Sequence, residues 1–127
     1  MKLEEKTMAQ SAERAGAAGK PQFSLEIRTG AEDGRLFQMT TPFVRIGRQI
    51  AISEEDSEAN VASFTIRTDK SISREHCQLS VKSREWLLLE DLESRFGTHL
   101  NGARIDTPTL CKTGDLVRIG DTEILIR

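Results

Sequence analysis

The chain has 127 residues, of which 37% are hydrophobic and 30% charged, with 9 Gly and 3 Pro. That fits one globular domain with a tail and excludes a collagenous or wholly disordered chain. Basic residues number 18 and acidic residues 20, for a net charge of -2. A whole-molecule basic field for nucleic acid is therefore absent, and any anion site must come from a local cluster. Apolar runs such as Leu87 to Leu89 are far shorter than the roughly 20 residues of a membrane span. MKLEEKTMAQ lacks the apolar centre of a signal peptide. The expected location is intracellular. Cys77 and Cys111 fit neither a disulfide framework nor a metal spacing, so both read as small half-buried hydrophobes. No metal and no cofactor is expected.

Residues 1–21 hold few large apolar side chains and cannot offset the entropy of ordering. They read as a flexible tail. From Phe23 the texture changes. Phe23, Leu25 and Ile27 alternate with Ser24, Glu26 and Arg28, the period of a half-buried strand. Glu32-Asp33-Gly34 reads as a turn, followed by strands over Arg35 to Met39 and Phe43 to Ile46. SEEDSEAN, residues 53–60, reads as a solvated acidic loop in which Ser53 and Ser57 could accept phosphate. Ser63 to Ile66 is a further strand. Cys77 to Val81 and Trp86 to Glu90 form a hairpin with its tip at Arg84-Glu85. The run WLLL suggests burial on both faces or at a sheet centre. Thr98-His99-Leu100 leads into Asn101-Gly102, a strong hairpin turn signal. Leu116 to Ile119 and Thr122 to Ile126 close the chain around Gly120-Asp121. No convincing amphipathic helix is present. The pattern predicts an all-β sandwich of about ten or eleven mostly antiparallel strands over residues 22–127. A chain that stops on its last strand also suggests a domain excised from a larger protein.

Three short motifs carry chemistry. Gly47-Arg48 ends the third strand. Ser71-Ile72-Ser73-Arg74-Glu75-His76 precedes the next hairpin. Ser94-Arg95-Phe96-Gly97-Thr98-His99-Leu100-Asn101-Gly102 follows it. A guanidinium fork suits a phosphate dianion, because parallel N–H donors match its oxygens. A nearby hydroxyl and loop N–H groups add donors. In this order the motifs resemble the forkhead-associated (FHA) domain, a phosphothreonine-binding β-sandwich, over roughly residues 23 to 127. The resemblance implies direct phosphate contacts from Arg48 and Ser73. It places Ser94 and Arg95 on a third loop of the pocket, with Arg74 beside them and Lys70 as outer electrostatic support. Gly47, His76, Gly97, Thr98, Asn101 and Gly102 are implied as structural support of these loops. His76 is implied as a buried scaffold residue and not a base. His99 reads as a strand surface residue.

One position departs from the family pattern. Many members have Asn before the GT pair, where its amide grips the peptide backbone; here it is Phe96, which lacks both donor and acceptor. Phe96 is expected to be a loop anchor packed on the sandwich edge. A basic residue followed by an aromatic before GT resembles the subset found in nibrin, a double-strand-break repair adaptor. That likeness implies nuclear DNA-damage or cell-cycle signalling. The function read from the sequence is recognition of phosphothreonine-containing proteins by a monomeric domain that contacts neither nucleic acid nor membrane. The alternative is a degenerate FHA scaffold that binds partners without phosphate. An enzyme is disfavoured, since Ser73 and His76 have no third partner and no Walker, zinc or dinucleotide motif is present.

Overall fold

The computed structural model describes residues 22–127; the expected flexible tail lies outside the described residues. Eleven strands form two packed sheets. They are β1 (Phe23–Ile27), β2 (Leu36–Met39), β3 (Phe43–Gly47), β4 (Val61–Thr65), β5 (Cys77–Val81), β6 (Leu87–Asp91), β7 (Thr98–Leu100), β8 (Ala103–Arg104), β9 (Thr109–Cys111), β10 (Leu116–Ile119) and β11 (Thr122–Ile126), with one short helix, α1 (Glu54–Glu58). The six-stranded sheet runs β2-β1-β11-β10-β7-β8 and the five-stranded sheet β4-β3-β5-β6-β9. All pairs are antiparallel except β3 with β4. This is the sandwich that the alternating pattern predicts.

Period-two patterning decides which side chains meet in the middle. Phe23, Leu25 and Ile27 of β1 and Ile124 and Ile126 of β11 point inward from one sheet. Val44, Ile46, Leu79, Leu87 and Leu89 meet them from the other. Each fully buried side chain of this size contributes about 1.5–3 kcal/mol by leaving water. Phe37 of β2 and Phe64 of β4 stack with ring centroids 4.8 Å apart, tying one edge of each sheet together.

Two expectations need correction. SEEDSEAN is not simply a solvated loop. Ser53 caps α1 in a reciprocal capping box with Asp56, and the Asp56 carboxylate makes a bidentate pair with Arg45 at 3.0 and 3.1 Å. A parallel pair needs a crossover of a dozen or more residues, usually helical, and residues 48–60 supply it between β3 and β4. The run after Trp86 is not buried on both faces. Leu87 and Leu89 are fully buried, whereas Leu88 points outward and is half-buried. One short strand, β9, had no clear signal, whereas β8 is the return strand of the hairpin that Asn101-Gly102 predicts. Both cysteines are buried and unpaired, and burial pushes the Cys111 thiol up to about 12.

Candidate functional site

The register of the five-stranded sheet gathers the three motifs at one end of the sandwich. Ile46 lies opposite Cys77, and Cys77 opposite Asp91. The segment after β3, the loop 66–76 and the loop 92–97 therefore leave the sheet side by side.

Gly47 begins the site. A Cβ there would lie 2.0 Å from the Arg74 carbonyl oxygen, so no side chain fits. This close approach lets the chain after β3 zip onto the next loop. Arg48 N–H donates to Ser73 O and Gln49 N–H to Arg74 O, both at 3.0 Å. The Arg48 side chain then turns back, and its Nε donates to Ile72 O at 2.9 Å. That bond fixes the guanidinium and leaves Nη1 and Nη2 without a protein partner among the described residues. Ser73 Oγ accepts the Arg95 N–H at 2.9 Å. Its own proton has no protein acceptor among the described residues.

His76 is fully buried beneath these groups. Nδ1 accepts the Ser73 N–H at 3.0 Å, and Nε2 lies 2.8 Å from Gly97 O. A carbonyl can only accept, so Nε2 carries the proton and the ring is neutral. Burial lowers its pKa and reinforces that state. Both nitrogens are committed to loop groups. The ring acts as a strut between two loops and is not free to take a proton from Ser73.

Two carboxylates complete the framework, and neither stood out in the sequence. Asp91, at the end of β6, accepts Ser94 N–H, the Ser94 hydroxyl and the Thr98 hydroxyl. Burial works to raise its pKa, but the bonds from Ser94 and Thr98 prevail and hold it below the usual range. Asp69 accepts the N–H and hydroxyl of Ser71, together with Asp121 N–H and the Thr122 hydroxyl. It staples the loop 66–76 to the β10–β11 turn. Asp91-x-x-Ser94 and Asp69-x-Ser71 are spacings at which Asp side chains collect nearby backbone N–H groups. Those spacings were the available signal.

The structure thus brings together Arg48, Ser73 and Arg95. Arg74 joins by its backbone, while its side chain is exposed. Ser94 does not present a ligand group. Its proton goes to Asp91 and its oxygen accepts Gly97 N–H at 2.9 Å, so it supports the loop. Lys70 lines a cavity of about 350 Å³ together with Ile27, Glu32, Ile66 and Asp69, and neither Arg48 nor Ser73 lines it. Phe96 is not packed on the sandwich edge. It is 53% exposed, with the Arg95 guanidinium 5.2 Å from its ring centroid, because the Asp91–Ser94 anchors face inward and leave residue 96 outside. Thr98 is fully buried. Asn101 and Gly102 both have positive φ, 51° and 88°, as a type I′ turn requires. The Asn101 side chain hooks this turn to Leu116 N–H and Asp115.

The sequence pattern described as FHA domain matches residues 44–120. The chain belongs to the FHA family. The FHA domain-containing protein FhaB of Mycobacterium tuberculosis is 37% identical over 83 residues, covering 64% of this chain and 53% of FhaB. The chain thus spans about half the length of the curated relatives it matches. Among solved structures, the FhaA FHA domain complexed with the intracellular domain of Rv3910 aligns with a TM-score of 0.65 and 28% identity, over 83% of this chain and 99% of that one. A second FHA structure, from work on phosphothreonine-dependent FHA interactions, aligns at 0.63 and 28%, over 83% of this chain and 94% of that one.

Proposed function

We propose that this FHA domain is a phosphothreonine reader whose phosphate pocket is built from Arg48, Ser73 and the loop around Arg95. The observation that carries this reading is the anchored Arg48. Its Nε is spent on Ile72 O, which holds the two outer nitrogens as a fork on the loop that carries Ser73, whose proton has no acceptor among the described residues. A fork of that kind matches two phosphate oxygens and adds charge-assisted bonds. The similarity to an FHA domain studied for phosphothreonine-dependent interactions supports the same chemistry. This reading is of binding without turnover, and it is consistent with His76, whose two ring nitrogens are committed to loop groups and cannot serve Ser73 as a base.

Preference for threonine over serine rests on the γ-methyl. One buried methyl contributes about 0.8 kcal/mol, roughly fourfold in affinity, so the rigid loop geometry supplies the rest. The exposed Phe96 takes no part in a peptide-backbone grip of the amide kind. Arg48, Arg74 and Arg95 favour acidic residues beside the phosphothreonine. The nuclear DNA-damage setting suggested by the nibrin-like stretch gains no support, because the curated relatives are bacterial. The partner is therefore assigned by chemistry alone, as a phosphothreonine-bearing protein.

Calorimetric titration with phosphothreonine, phosphoserine and unphosphorylated peptide pools tests the proposal. Binding to the phosphothreonine pool alone is expected. Arg48→Ala should lower that affinity by about 3 kcal/mol, more than a hundredfold. An unchanged affinity in the variant refutes the pocket. A partner interaction that survives phosphatase treatment would favour the phosphate-independent scaffold.

A further inference from the structure

The outward face of the five-stranded sheet lies away from the phosphate pocket and carries a feature the pocket does not explain. Strand register places Val61, Phe43, Ser80, Leu88 and Leu110 in one row across all five strands. All five point away from the core, because their chain neighbours Val44, Leu79, Leu87, Leu89 and Cys111 point into it. Ser80, which stands between Phe43 and Leu88 in this row, is only 3% exposed. The result is a continuous apolar ridge ending at Leu110, which is 51% exposed.

Charges flank this ridge asymmetrically. On one side, two residues along β6, lies Glu90 beside Gln78, with Arg45 next in the same row and its charge paired to Asp56 of α1. On the other side lie Lys82, Trp86 and Lys112. Lys82 N–H bonds Trp86 O, and Lys112 Nζ sits 5.4 Å from the Trp86 ring centroid, so the three share this face.

We propose that this face is a self-association surface that takes a second copy of the chain, with the two-fold axis lying along the ridge. Rotation about that line stacks ridge on ridge. It also carries each Glu90 over the second copy's Trp86, between its Lys82 and Lys112. The surface is thus self-complementary in charge, as a two-fold interface requires. An axis at right angles, through β5, stacks Lys82 on Lys82 and is disfavoured. Five strands of about five residues give a footprint of roughly 400 Å². Stable interfaces bury about 800 Å² per partner, so the dimer is weak, with a dissociation constant of roughly 10 μM to 1 mM. This replaces the monomer read from the sequence and does not depend on the phosphate pocket.

Sedimentation equilibrium of the full chain, from well below to well above that range, is the test. The 14.2 kDa mass should double as concentration rises. E90K alone, and K82E with K112E, should each weaken self-association at least about tenfold by placing like charges in contact. Mixing these two chains should restore a dimer, because every contact is again between opposite charges. Circular dichroism checks that both variants are folded. A mass fixed at the monomer value, or a dimer indifferent to both variants, overturns the proposal. So does a monomer in which residues 1–21 shield Leu88 and Leu110 from a soluble paramagnetic probe.

Discussion

The loop 66–76 and the crossover 48–60 both connect strands of the five-stranded sheet, the loop passing over β3 from β4 to β5 and the crossover joining the adjacent β3 and β4, yet they are held by different physics. The loop is fixed from inside. Ile66 and Ile72 are buried in the core, His76 is fully enclosed, and Asp69 collects four hydrogen bonds. The helix in the crossover buries no residue. It is held from outside, by the Arg45–Asp56 pair and a capping box. At the candidate pocket, the chain uses buried and part-buried partners. Where it only has to cross from β3 to β4, one part-buried ion pair and a helix cap are enough.

The largest test of this contrast is His76→Ala. It strips the Ser73 N–H and the Gly97 carbonyl of their partners and opens a cavity, for a cost on the order of 4 kcal/mol. Urea unfolding measures it, and phosphopeptide affinity should fall in parallel. Asp91→Ala comes next. It removes the acceptor of Ser94 and Thr98 and should cost about 2 kcal/mol, read as a lower melting temperature. Binding should weaken as well, because Arg95 N–H would lose its fixed approach to Ser73.

Acid should separate these supports in two stages. Burial lowers the His76 pKa, so below about 6.5 the unfolded chain takes up a proton that the folded chain resists, and stability falls with pH. Asp69 and Asp91 are held below the usual carboxylate range. Their contribution is complete above about 3.9 and is lost as pH drops through their folded values. Urea midpoints across this range should show both stages, and a His76→Asn chain should lack the first. Asp56→Asn should have the smallest effect. It frees Arg45, whose neighbour Glu75 lies 3.8 Å away, and should leave phosphopeptide affinity unchanged. A clear loss of affinity there would mean that the crossover shapes the pocket, and the contrast would fail.

Much of the sandwich is legible in the sequence because its strands declare themselves locally. Phe23 to Ile27 and Cys77 to Val81 alternate strictly, and Asn101-Gly102 specifies its turn without help. What escapes is non-local. The helix Glu54–Glu58 is too short to form alone and depends on Arg45, eleven residues from Asp56. Thr109–Cys111 has no period long enough to read and becomes a strand by pairing with Leu87 to Leu89. In the site, Arg48, Ser73 and His76 stand out by spacing, whereas Asp69 and Asp91 look like loop carboxylates until their partners are seen. Ser94 misleads for the same reason, since which way a hydroxyl donates depends on a neighbour that composition does not reveal. Phe96 misleads because nothing local tells an anchor from an exposed ring.

The pairing of β1 with β11 has a consequence for how the protein is made. Leu25 finds Ile126, and Ser24 exchanges two backbone hydrogen bonds with Arg127, about a hundred residues later along the chain. During synthesis, β1 therefore leaves the ribosome long before its partner exists. The run from β3 to β6, residues 43–91, can pair its own strands first. The six-stranded sheet must wait for the last residues of β11. Until then the inner faces of β1 and of the early sheet lie open to water and to other nascent chains, the interval in which a slow, non-local β fold is most exposed to misassembly.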